Sequence, residues 1–145
     1  MAGFGSANAM FLVRAWLLAP AVEVSLGSLG LDRTLLWLDA LCGGRGARHV
    51  VAGGRVGVRA GEGLVRRAYR AHPLLGGLCL SRSLVQYALH RYDRTPARLV
   101  IGVRRAPDLD AHAWIEEGSA PAPAHAAGFA RLLVREIGGA EGSAS

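Results

Sequence analysis

Cys79 and His112 are the residues of this 145-residue chain whose types and settings allow covalent chemistry. Cys79 follows Gly76-Gly77 and opens "CLSRSLVQYALHRY", which reads as a helix from about 79 to 91. A thiol at a helix start meets unpaired backbone N–H groups and the positive end of the helix dipole, and both favour the thiolate. His112 stands in "AHAWIEE", an alternating run that reads as a strand. An imidazole beside a thiol takes its proton and later returns one to a leaving amine. Free N–H groups at the helix start could also hold an oxyanion. Each residue has an ordinary reading as well: a cysteine as a small buried hydrophobe, a histidine as a ring packed beside Trp114. Residue type and spacing leave both readings open.

The elements around them set what is geometrically available. In the Cys79 helix Leu80, Leu84 and Tyr87 lie on one side and Val85 and Leu89 on another, so it is expected at the centre of a core. "ARLVIGVR" alternates, with Ala97, Leu99, Ile101 and Val103 on one face. "PDLD" supplies a turn, and the next run puts Ala111, Ala113 and Ile115 on one face and His112, Trp114 and Glu116 on the other. The expectation is an antiparallel hairpin packed against the Cys79 helix, able to bring His112 to its start.

Upstream, residues 9–19 read as a short helix that Pro20 ends or kinks, and Asp32 as the N-cap of a helix over about 33–42. Glycine and arginine dominate 43–63, read as a loop with a hairpin at "RHVVAGGRVGVRA"; a basic helix over 63–71 is closed by Pro73. Downstream come a loop at "GSAPAPAHAAG", a short element over Phe129–Ile137 and a flexible tail over 138–145. The organisation expected is N-terminal helices and a Gly/Arg-rich loop over 1–62, a core over 63–137, then the tail.

Composition excludes several chemistries. All 17 basic residues are arginine, so a lysine Schiff base and a Gly-Lys-Ser/Thr phosphate loop are ruled out. Two cysteines do not make a disulfide framework, and the five histidines and two cysteines show no close metal-ligand spacing. No metal or cofactor is expected. The net charge of +6 favours acidic partners, and seven arginines between Arg45 and Arg70 face one acid, Glu62. That stretch lacks interleaved aromatics and any nucleic-acid motif, so nucleic acid is not expected. The apolar run 10–31 is broken by Arg14, Pro20, Glu23 and two glycines and has no basic residues before it. It is expected to pack on the core or on a partner, with no stable membrane insertion.

"CLSRSL", "ARLVIGVRR" and "AHAWIEE", in that order, resemble the transglutaminase-like cysteine peptidases of lasso-peptide biosynthesis, the C-terminal half of the microcin-processing B proteins. The likeness covers about 64–117. It implies an α+β fold: a papain/transglutaminase-like core with a nucleophile helix on a small antiparallel sheet, preceded by N-terminal helices. It implies Cys79 as nucleophile and His112 as general base and acid. The implied activity is removal of the leader from a ribosomally made precursor peptide in the bacterial cytoplasm. A separate leader-recognition protein would deliver the substrate and an ATP-dependent cyclase would close the ring. That family usually carries an aspartate about a dozen residues after the histidine, to orient the ring. Here Ala124-His125 occupy that place, and no acid lies between Glu117 and Glu136. His125, Glu116 and Asp110 are the expected substitutes, Glu116 being about 6–7 Å along the strand from His112. Arg82 and Trp114 are expected along a substrate groove. Without the aspartate a non-catalytic binding relative is an alternative, as is acyl transfer to an amine.

Overall fold

The computed structural model describes residues 5–42, 56–75, 78–105, 107–118 and 120–137. Of the hairpin expected at 48–60, residues 48–55 lie outside the described residues, as do most of the Gly/Arg-rich loop and the tail 138–145. The fold is α+β: helices α1 (Ser6–Cys42), α2 (Val58–Ala71) and α3 (Cys79–Tyr92) against strands β1 (Ala97–Arg104), β2 (Asp110–Glu116) and β3 (Ala130–Ile137).

α1 runs through Pro20 and breaks instead at Gly30, whose φ of 79° and ψ of 178° favour glycine. The proline costs an intrahelical bond, but Ala15, Ala19 and Val22 around it are fully buried, and that packing keeps the helix continuous across it. Phe11, Ala15, Ala19 and Val22 recur at helical spacing on the inner face. Met10, Val13, Leu17 and Val24 are exposed on the outer one. By length and composition α1 could cross a membrane. Past the break, the Thr34 hydroxyl donates to the Gly30 carbonyl at 2.7 Å, and Leu35, Leu38 and Cys42 are buried.

α2 starts at Val58, earlier than glycine content suggested. Val58, Gly61, Leu64, Val65 and Ala68 are buried, while Arg59, Arg66, Arg67 and Arg70 lie outside that stripe. Gly61 is there for space: a Cβ would come within 2.9 Å of the His90 ring.

α3 is the centre of the molecule, with Ser83 through His90 all buried among α1, α2 and the sheet. The sheet order is β2-β1-β3, antiparallel throughout. The expected hairpin is present, pairing Leu99 with Ile115 and Gly102 with His112. Phe129–Ile137, anticipated only as a short element, supplies the third strand on the far side of β1. Ala97, Leu99, Ile115 and Ile137 join the main core; Val100 and Trp114 face the other way, into a small cluster with Ala126 and Phe129.

Two polar features, one partly and one fully buried, tie these layers. Asp39 of α1 accepts the Tyr87 hydroxyl at 2.5 Å and pairs with Arg91 of α3 at 3.2 Å and with Arg135 of β3. Burial, then the Asp39 carboxylate, push the Tyr87 phenol up to about 12. Asp39→Ala removes the shared partner of that hydroxyl and of two guanidinium groups that are partly open to solvent. It is expected to cost about 2 kcal/mol of unfolding free energy, measured by urea denaturation.

His90 lies fully buried between Phe11 and Gly61. The Gln86 side-chain amide donates to the Val58 carbonyl at 2.8 Å and sits 3.2 Å from His90 Nε2, which suits a neutral ring accepting at that nitrogen. Burial pushes the imidazole down to about 4. The unfolded chain takes up this proton near pH 6.5, so stability is full above that pH and falls as pH drops towards about 4. The loss reaches roughly 3 kcal/mol. Urea unfolding at about pH 7 and about pH 4.5 should show the decline, and His90→Leu should flatten it.

Candidate active site

β2 is an edge strand, and α3 runs alongside it in the same chain direction. The Ser83 hydroxyl donates to the Ala113 carbonyl at 2.9 Å, and the Cys79 thiol points at the Ala111 carbonyl at 3.9 Å. The periods agree: four residues of helix rise about 6 Å and two residues of strand about 6.6 Å. Fastening Ser83 to Ala113 therefore puts Cys79 beside the residue preceding His112. Ser81, fully buried, donates to the Leu78 carbonyl at 3.0 Å. Ser83 thus bonds across to the strand, whereas Ser81 bonds locally to the carbonyl of the residue that precedes the helix. Leu78 is the N-cap and offers no side-chain bond, so the first turn of α3 has no side-chain cap.

Cys79 is half-buried and Cys42 buried, both as free thiols. Burial pushes the Cys42 thiol up, outweighing Arg91, which makes it an inert core residue. Cys79 and His112 open onto one groove of about 660 Å³. Its walls include Val58, Glu62 and Arg66 from α2, Arg82 and Gln86 from α3, and residues 120–123 with His125 after β2.

The His112 imidazole is flanked by three rings. Trp114 stacks with it at 5.9 Å between centroids and 25°, Phe129 lies at 5.6 Å, and His125 meets it edge-on at 5.0 Å and 88°. His125 is carried by a single 3-10 turn, Ala124–Ala126. Burial lowers the His112 pKa first; His125 and Arg82 lower it further, against Asp110 and Glu62, which raise it. The net effect favours the neutral ring, the form able to accept a proton.

The three expected substitutes for the missing aspartate separate here. His125 is in ring contact with His112. Asp110 acts on His112 only through its field, being paired with Arg104 at 3.1 Å. Glu116 does not orient His112 directly: it is buried, and its oxygens receive Trp114 at 2.9 Å, Arg131 at 2.8 Å and Arg98 at 3.3 Å. Arg82 and Trp114 do line the groove, and Trp114 also packs into the small cluster behind it.

Residues the motifs did not single out also matter. Ser83 sets the helix against the strand. Phe129 flanks His112. Gly102 faces His112 across the hairpin, at a register shift between β1 and β3. A Cβ there would come within 2.8 Å of the Trp114 ring and 3.0 Å of Phe129. A glycine inside a strand is a sequence signal for such close approach; the other two carry none.

No match was found to curated proteins or to solved structures. Residues 18–134 match the transglutaminase-like superfamily, a span that takes in Cys79, His112, His125 and the greater part of every helix and strand described above. The chain belongs to the transglutaminase-like superfamily.

Proposed function

We propose that this chain is a cysteine endopeptidase that removes the leader from a ribosomally synthesised lasso-peptide precursor. The observation that carries the reading is the opening of Cys79 and His112 onto one groove, with the thiol at an uncapped helix start. In the proposed reaction His112 takes the thiol proton and the sulfur attacks the carbonyl of the last leader residue. The first-turn N–H groups of α3 hold the oxyanion. His112 protonates the departing amine, and water, giving up a proton to His112, then hydrolyses the thioester and restores the thiol. His125 takes the place of the orienting acid. Arg82 and Trp114 line the peptide path. A leader-recognition protein delivers the precursor, a separate ATP-dependent cyclase acts on the product, and the setting is the bacterial cytoplasm.

The absence of an acid hydrogen-bonded to His112 among the described residues favours a second reading, a non-catalytic peptide-binding relative. One experiment separates them. Purified chain, recognition partner and precursor should release leader, and Cys79→Ala should lower the rate by roughly three orders of magnitude or more. An unchanged rate in Cys79→Ala removes the peptidase reading. Mass spectrometry of the product distinguishes addition of water from acyl transfer to an amine.

The electrostatics of the ring give a further check. In Cys79→Ala, His112 should titrate below 6.5 by NMR, and His125→Ala should move it upward, since a ring that lowers it is gone.

A further inference from the structure

Glu116 is a buried acid that the proposed chemistry leaves without a task. Its relative exposure is 3%, and it shares a strand face with His112 and Trp114. A carboxylate is held in such a place only where its charge is matched and its lone pairs are filled. Arg98 and Arg131 supply the charge, and Oε1 accepts the indole N–H of Trp114 at 2.9 Å. The indole is also constrained along its edge. Gly102 leaves it the space a Cβ would take, and Phe129 meets it at 6.2 Å and 62°. An indole fixed at its N–H and along its edge cannot turn, and the face it offers is the one stacked with His112.

We infer that Glu116 is a positioning residue for His112, acting through the Trp114 indole: its carboxylate locks the indole, and the locked indole sets the plane of the imidazole. Where an acid would ordinarily bond the ring directly, the carboxylate here works one side chain removed. The effect on the geometry of the ring stands alone; its effect on Cys79 rests on the peptidase reading.

The test uses the full chain and two probes. One is the ring resonances of His112, with histidine isotopically labelled. The other is alkylation of Cys79 by iodoacetamide across pH, with buried Cys42 as internal reference and His112→Ala defining the part that depends on the imidazole. His125, Asp110, Arg82 and Glu62, which face or act on the ring, stay unchanged in all variants. Glu116→Leu should shift the His112 resonances and cut the His112-dependent alkylation about tenfold. Glu116→Gln, which keeps an acceptor for the indole, should restore most of both. In a Trp114→Phe background, which has no N–H to hold, Glu116→Leu should add nothing. Where Glu116→Leu fails to fold, Trp114→Phe carries the comparison: it should shift the His112 resonances and cut the His112-dependent alkylation, while Glu116→Gln stays close to the unaltered chain. Unchanged His112 resonances in folded Glu116→Leu or, in its place, Trp114→Phe, or additive effects at 114 and 116, would overturn the inference. If the resonances respond as expected but alkylation is the same in His112→Ala, the positioning role stands and the peptidase reading falls.

Discussion

The site depends on one hydrogen bond between two elements: the Ser83 hydroxyl donating to the Ala113 carbonyl. An edge strand has a row of unpaired carbonyls, and these must be answered by something other than another strand. Here a helix answers them, with Ser83 at one carbonyl and Cys79 facing another two residues away. Because one turn of helix nearly matches two residues of strand, a single fastening fixes the other contact. The distance between the Cys79 helix and the His112 strand is therefore set by the sheet edge, not by the loop that joins them.

The rest of the molecule holds that helix still. α3 is buried for most of its length, and its polar residues are anchored into neighbours rather than water: Tyr87 and Arg91 on Asp39, Gln86 on Val58, His90 against Gly61 and Phe11. These bonds join α3 to α1 and α2, and Arg135 brings β3 to the same Asp39. The polar core specifies where α3 lies, which apolar packing by itself does less sharply.

Local pattern made the hairpin, the central helix and the placing of Cys79 and His112 on them legible, because each depends on neighbours within a few residues. The strand alternation put His112, Trp114 and Glu116 on one face, and that is where they are. What local pattern missed was decided at long range. Pro20 reads as a stop until the burial around it is known. Gly61 reads as a helix breaker until His90 is seen to occupy the space of its missing side chain. β3 carries too little alternation, since much of it is exposed, and becomes a strand by pairing with β1. Glu116 reads as a partner for His112 two positions away, yet its oxygens are filled from β1, β3 and the indole. The elements that carry Cys79 and His112 are thus legible from short motifs, and the supports behind them are not.

The two outer helices present chemically opposite flanks. α1 shows Met10, Val13, Leu17 and Val24 to solvent, while α2 shows Arg59, Arg66, Arg67 and Arg70. Added sodium chloride screens attraction to arginine, whereas sulfate strengthens adhesion between apolar surfaces. Whatever adheres to this molecule, a salt series in those two anions reports which flank holds it.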